Sequence, residues 1–122
     1  MQLIDSNILI YAGNPQFNSI LLPFVSNSQN SVSVISQIET LGFHLITPPQ
    51  IIFFESLFKV LNVIPLDNMI IQETIKIRQL KKISLGDAII ASTALVRNLE
   101  IITRNTSDFT GIPGLKYHNP IP

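Results

Sequence analysis

The chain has 122 residues, 46% of them hydrophobic, which is enough apolar material for one core and close to the size of one domain. It holds no cysteine, so disulfides, thiolate zinc sites and thiol nucleophiles are excluded, and any metal must be bound by oxygen or by the two histidines. Eight basic residues balance eight acidic ones, so overall charge gives no argument for a nucleic-acid partner.

The opening Gln2-Leu3-Ile4 reads as a short buried strand that delivers Asp5 into a turn or helix start. This N-terminus lacks the positively charged region of a signal peptide, and no apolar run approaches the roughly 20 residues that span a bilayer. The expectation is a soluble cytoplasmic protein with no membrane segment, folded as one domain over residues 1–122. Gly13-Asn14-Pro15 breaks the pattern, Phe17 to Val25 can form a short helix despite Pro23, and Ser26 to Ser31 reads as a polar loop.

Ser31 to Ile35 alternates as a strand does, with Ser36 placed to cap a helix that carries Glu39 and stops at Gly42. From Pro48-Pro49 onward, Phe53, Phe54, Leu57, Phe58 and Leu61 recur at helical spacing, more in keeping with core or a protein-binding groove than with a base-stacking platform. Val63 to Leu66 is a short strand, and Asp67 caps a helix through Ile70, Ile77 and Leu80. Ser84 to Leu95 is helical and apolar on several sides, hence buried. Leu99 to Thr103 forms a strand leading into the loop of Arg104 to Ser107 and then Asp108, and Leu115 to His118 adds a last edge strand. Strands alternating with helices imply an α/β, three-layer fold whose central, largely parallel sheet is flanked by helices, with a site beyond the carboxyl ends of the strands.

Four acids fall where such a sheet displays them: Asp5 after the first strand, Glu39 on the helix after the second, Asp87 in the first turn of the apolar helix and Asp108 after a late strand. Taken singly, Asp87 also fits a capping box with Ser84, Asp108 a turn residue and Glu39 a solvated helix position. Asp5 is the hardest to explain without a partner, because a charge directly behind an apolar strand is costly to bury. Gathered together, the four repel one another and call for a hard, oxygen-seeking cation. Mg²⁺, with Mn²⁺ as a substitute, suits such ligands and supports phosphodiester hydrolysis. Lys81, Lys82 and Arg104 flank the two late acids as candidate phosphate contacts. His44 and His118 lack ligand spacing and read as surface residues, and Tyr11 and Tyr117 have no assigned role.

Leu3 to Tyr11, Glu39, Leu85-Gly86-Asp87-Ala88-Ile89-Ile90-Ala91 and Thr103 to Phe109 together resemble the PIN-domain family, in particular the VapC-type toxin ribonucleases of toxin-antitoxin pairs. The resemblance covers nearly the whole chain. It implies that Asp5, Glu39, Asp87 and Asp108 form an acidic metal site supported by Ser6, Asn7, Thr103 and Asn105. It further implies an RNA substrate, a homodimer and a cognate antitoxin whose tail occludes the site. The chain departs from the family pattern in a short Asn14 to Asn30 segment, a Pro-rich tail, and Ser6 where threonine is frequent. A non-catalytic PIN-like binding module for RNA or protein is the alternative. A phosphoryl-accepting signalling domain fits less well, since it calls for adjacent acids after the first strand and only Asp5 is present.

Overall fold

Leu3 and Ile4 are neighbours in the first strand and are both fully buried, yet they belong to different cores. Successive side chains of a strand point to opposite faces, so this pair alone requires cover on both sides of the sheet. The computed structural model describes residues 1–122 and supplies that cover. Five strands, β1 (Gln2–Ile4), β2 (Ser31–Ser33), β3 (Asn62–Ile64), β4 (Glu100–Ile102) and β5 (Tyr117–His118), form one sheet in the order β3-β2-β1-β4-β5. Every pairing is parallel, with Leu3 beside Ile101 and Ile4 beside Ile102.

On one face, Ile4, Val32 and Ile102 pack with α1 (Ser6–Ala12), α2 (Asn18–Val25) and α4 (Pro48–Val60) through Ile8, Leu9, Leu21, Val25, Phe54 and Leu57. On the other, Leu3 and Ile101 meet α5 (Asn68–Leu80) and α6 (Leu85–Arg97) through Ile70, Ile77, Ala88, Ile90 and Ala91. The remaining helix, α3 (Val34–Leu41), sets Leu41 against the first core and Ile35 against the second. The expected three-layer α/β architecture is therefore present, and the sheet is parallel throughout. No helix is long and apolar enough to cross a membrane.

Local chemistry explains the helix boundaries. Thr47 and Gln50 form a reciprocal capping box ahead of α4, whose first two residues are Pro48 and Pro49. Asp67 accepts from the Ile70 N–H at the start of α5, and Ser84 accepts from the Asp87 N–H at the start of α6. The buried middle of α6, Ala88 to Ala94, tolerates Ser92 and Thr93 because each hydroxyl donates to a carbonyl one turn back, on Ala88 and Ile89.

One boundary differs from the sequence expectation. The second strand stops at Ser33 instead of continuing to Ile35, and Ser33 rather than Ser36 caps the next helix, its Oγ accepting from the Ile35 N–H at 3.1 Å. Alternation of Ser and Val imitates a strand, but the side chain of Ser33 takes up a helical N–H before the pattern runs out. Other strands and helices agree to within a few residues, including the edge strand at Tyr117–His118.

Removing this cap by Ser33→Ala leaves the Ile35 N–H unpaired in a buried setting. It is expected to lower the unfolding free energy by about 1 kcal/mol, read as a lower urea midpoint at unchanged denaturant slope.

Candidate acidic site at the sheet switch point

In this strand order the chain runs outward from β1 to β2 and β3, then returns across to β4 on the other side of β1. The reversal opens a crevice at the carboxyl ends of β1 and β4, where parallel sheets bind ligands. Asp5 directly follows β1 and Thr103 directly follows β4. The two meet: Thr103 Oγ donates to Asp5 Oδ2 at 2.8 Å, while the Ser6 N–H donates to Oδ1 at 2.8 Å. Asp5 thus serves as the N-cap of α1 and is 6% exposed.

Thr103 is itself held. Its Oγ accepts from Asn7 Nδ2 at 3.4 Å and from the Asn105 N–H at 3.1 Å, and Asn7 Oδ1 accepts from the Arg104 N–H at 3.3 Å. Asn7 and Asn105 therefore position the threonine that positions the aspartate.

Glu39 is reached through a second hydroxyl relay. Ser6 Oγ lies 2.8 Å from both Glu39 Oε1 and Ser36 Oγ. A serine has one hydroxyl proton, so Ser6 donates to the carboxylate and accepts from Ser36. Glu39 is exposed, and its other oxygen faces Gly86, where an added Cβ would lie 2.8 Å from Oε2. The absence of a side chain at residue 86 is what lets the start of α6 approach this carboxylate.

Asp87 and Asp108 complete the group. Asp87 lies three residues into α6, half-buried, and only its backbone N–H serves the Ser84 cap. Asp108 is exposed on a 3-10 turn, Thr106–Phe109. That turn is anchored by fully buried Phe109 and by Lys81 Nζ, which donates to the Thr110 carbonyl at 2.8 Å and the Asp108 carbonyl at 3.3 Å.

Electrostatics ties these acids into one system. Burial is the main force raising the Asp5 pKa from 3.8 to about 6; the Thr103 and Ser6 hydrogen bonds oppose it, and the charges of Asp87 and Glu39 add to it. Burial likewise raises the Asp87 pKa; the Ser84 hydroxyl opposes, Asp108 raises it further and Lys81 lowers it. The coupling runs from Glu39 through Asp5 and Asp87 to Asp108. These carboxylates do not form a ready-made cage, since no three Asp, Glu or His side chains are close enough to hold a metal ion as they stand. The donor set still fits Mg²⁺, which takes one or two carboxylates directly and reaches others through its waters.

Beside the acids lies a polar cleft of about 630 Å³ lined by Arg78, Lys81, Lys82, Ile83, Ser84, Asp87, Ser107 and Asp108. Of the three cations marked from sequence, Lys82 faces this cleft, whereas Lys81 is spent on the turn carbonyls and acts as a clamp. Arg104 packs against Tyr11 and Phe17 instead. Four contributors escaped the sequence reading: Ser36, Gly86, Arg78 and the Tyr11–Phe17 pair. Two left a signal. Ser36 stands three residues before Glu39, the spacing of one helix face, and a glycine inside the first turn of a helix marks a close approach.

An acidic site at the switch point of a parallel sheet, beside a cleft lined by both lysines and aspartates, defines a doubly wound α/β protein. The family model for the PIN domain matches residues 3–114, and the chain belongs to the PIN-domain family. It is similar to a chain of a toxin-antitoxin complex from Klebsiella pneumoniae, with 34% identity over 99% of this chain and 98% of that one, at a TM-score of 0.79. Similar folds occur in DNA-bound VapBC from Salmonella typhimurium (TM-score 0.82, 22% identity, 99% and 100% covered) and in FitAcB from Neisseria gonorrhoeae (TM-score 0.80, 24% identity, 98% of each covered). No curated protein matches the sequence.

The raised Asp5 pKa fixes how stability of the metal-free protein depends on pH. Below 3.8 the carboxyl is protonated in both states. Between 3.8 and about 6 only the folded state keeps the proton, so stability falls as pH rises, and above that range roughly 3 kcal/mol has been lost. In EDTA, thermal unfolding is expected to move down by on the order of 10 °C between pH 4 and pH 7.5. Asp5→Asn should remove most of that slope; an equal slope in the variant would locate the titration elsewhere.

Proposed function

We propose that this chain is a Mg²⁺-dependent endoribonuclease, the toxin of a type II toxin-antitoxin pair, with Asp5, Glu39, Asp87 and Asp108 as its metal-binding and catalytic carboxylates. The observation that carries the reading is the coupled row of four acids at the switch point, in which a carboxylate buried at Asp5 has no cationic partner. A single ion pair exists in the chain, Arg97–Asp67, and it involves none of the four.

When bound, Mg²⁺ or Mn²⁺ supplies Lewis acidity, acidifying water and offsetting charge on a phosphodiester. The chain's own residues prepare the rest. Thr103 and the Ser6 N–H fix both oxygens of Asp5, and Ser6 with Ser36 aims Glu39. Lys81 holds the turn that presents Asp108, while Arg78 and Lys82 line the adjoining cleft, where an RNA backbone gains affinity and register without base readout.

A protein partner fits a separate feature. Exposed Ile10 and Phe43, with Ile46, Gln50, Phe54 and Glu39, line a groove of about 220 Å³ that ends on one of the four acids. An antitoxin segment lying there would reach Glu39, and the Klebsiella pneumoniae relative is part of a toxin-antitoxin complex. A second apolar groove of about 290 Å³ on α5 and α6, with exposed Leu66, Ile71, Ile75 and Leu85, suits a homodimer contact.

Incubation of wild type with a pool of structured RNAs should yield defined cut ends with Mg²⁺ or Mn²⁺ and none with EDTA, and Asp5→Asn, Asp87→Asn should abolish them. Intact RNA throughout, together with no calorimetric binding of Mn²⁺, would leave a PIN-fold binding module in place of an enzyme.

Gly86→Ala isolates the metal from the fold. Alanine favours a helix over glycine, so the thermal midpoint is expected to hold or rise. The new methyl displaces Glu39, and Mn²⁺ affinity should fall by roughly tenfold, the scale of lost support around a metal ligand.

A further inference from the structure

Arg104, like Arg78 and Lys82, has a side chain with no ion pair or hydrogen bond in the protein, and of these three it alone packs on aromatic rings. Its backbone N–H is bound to Asn7, but the guanidinium makes no ion pair and no hydrogen bond. It is nevertheless held in place. Its Cζ lies 4.7 Å from the centroid of the Tyr11 ring and 5.3 Å from that of Phe17, and the two rings meet edge to face at 5.6 Å and 86°. Two such contacts offset part of the rotamer freedom of a free arginine.

The clamp is wired to the acids by short links. Tyr11 lies one helical turn after Asn7 on α1, and Asn7 bonds both Thr103 Oγ and the Arg104 N–H. Arg104 directly follows Thr103, which holds Asp5. The rings hold the guanidinium carbon while none of its N–H groups is bonded within the protein, which leaves a planar fork of the kind that matches two phosphate oxygens.

We propose that Arg104, ordered by Tyr11 and Phe17, is a phosphate-anchoring subsite for single-stranded RNA, gripping a backbone phosphate that flanks the one attacked. This rests on the nuclease reading above and assigns it a positioning residue. The ring pair acts through the arginine and does not itself touch the reacting atoms. Lys81, spent on main-chain carbonyls, has no such role.

The test compares wild type, Arg104→Gln, Arg104→Lys and Tyr11→Leu in two arms: binding of a labelled single-stranded RNA in EDTA across a salt series, and cleavage kinetics in Mg²⁺. Arg104→Gln is expected to weaken binding by about five- to tenfold and to reduce the slope of log K against log salt by about 0.7, the loss of one phosphate contact on a single strand. In the kinetic arm it should raise KM by more than it lowers kcat. Arg104→Lys should keep the slope and recover part of the affinity, and Tyr11→Leu should keep the slope while weakening binding two- to threefold. A purely structural role would change thermal stability without moving the salt slope. Cleavage that proceeds with the same KM and slope in Arg104→Gln overturns the subsite and leaves the nuclease standing. A wild type that neither cuts nor binds RNA overturns both.

Discussion

A carboxylate buried without a counter-charge is the constraint around which this molecule is arranged. Asp5 ends a strand whose side chains feed two separate cores, so it cannot turn to solvent without pulling Leu3 or Ile4 out of place. An ionised side chain in that position costs several kcal/mol unless it is neutralised or hydrogen-bonded. The chain answers with Thr103, brought alongside by the parallel β1–β4 pairing, and with the first N–H of α1. Thr103 is there only because of the sheet order, whereas the Ser6 N–H comes with the start of α1. The cost left over appears as a pKa near 6, a proton affinity that a divalent cation can displace.

The order of the strands does the rest of the positioning. Because β1 is central and β4 returns to its free side, the segments after them enter one crevice. The α6 start, carrying Gly86 and Asp87, then closes the side where Glu39 stands. The residues that matter come from four stretches of the chain up to about a hundred positions apart, yet each sits at the end of an element and not in its middle. Such placement lets the two cores be optimised for packing while the site is set by caps and turns. Lys81 shows the division clearly: it is a surface cation by type, but its ammonium serves as a strut for the turn that bears Asp108.

Much of this was legible in the sequence. Apolar pairs followed by Asp or Thr marked β1 and β4, and the helical recurrence from Phe53 to Leu61 marked α4, because burial patterns and caps are local properties. The cap at Ser33 was misread since Ser-Val alternation is compatible with both a strand and a capped helix, and only the pairing with β3 decides. Asp5, Glu39, Asp87 and Asp108 could be picked out as candidates. What the letters did not contain was their spacing: an electrostatic row that stops short of a closed cage. Arg104 and Lys81 looked alike as flanking cations, and only three dimensions separate a guanidinium clamped by rings from an ammonium bound to carbonyls.

The choice of donors around the acids argues for what the site is meant to receive. Ser6, Ser36, Thr103 and Ser84 act through hydroxyls, Asn7 through its side-chain amide, and the remaining donors, Asn105 included, are main-chain N–H groups. Neutral donors fix the direction of a carboxylate while leaving its charge in place. An arginine or lysine at any of these positions would have stabilised the fold more, since a charge-assisted bond is roughly twice as strong as a neutral one. It would also have cancelled the field. The nearby cations are placed otherwise: Lys81 bonds carbonyls, Arg104 packs on aromatic rings, and Arg78 and Lys82 line the cleft shared with Asp87 and Asp108 without pairing to them. None of the four acids forms an ion pair, and Lys81 offsets only Asp87, which is the arrangement the proposed Mg²⁺ site requires.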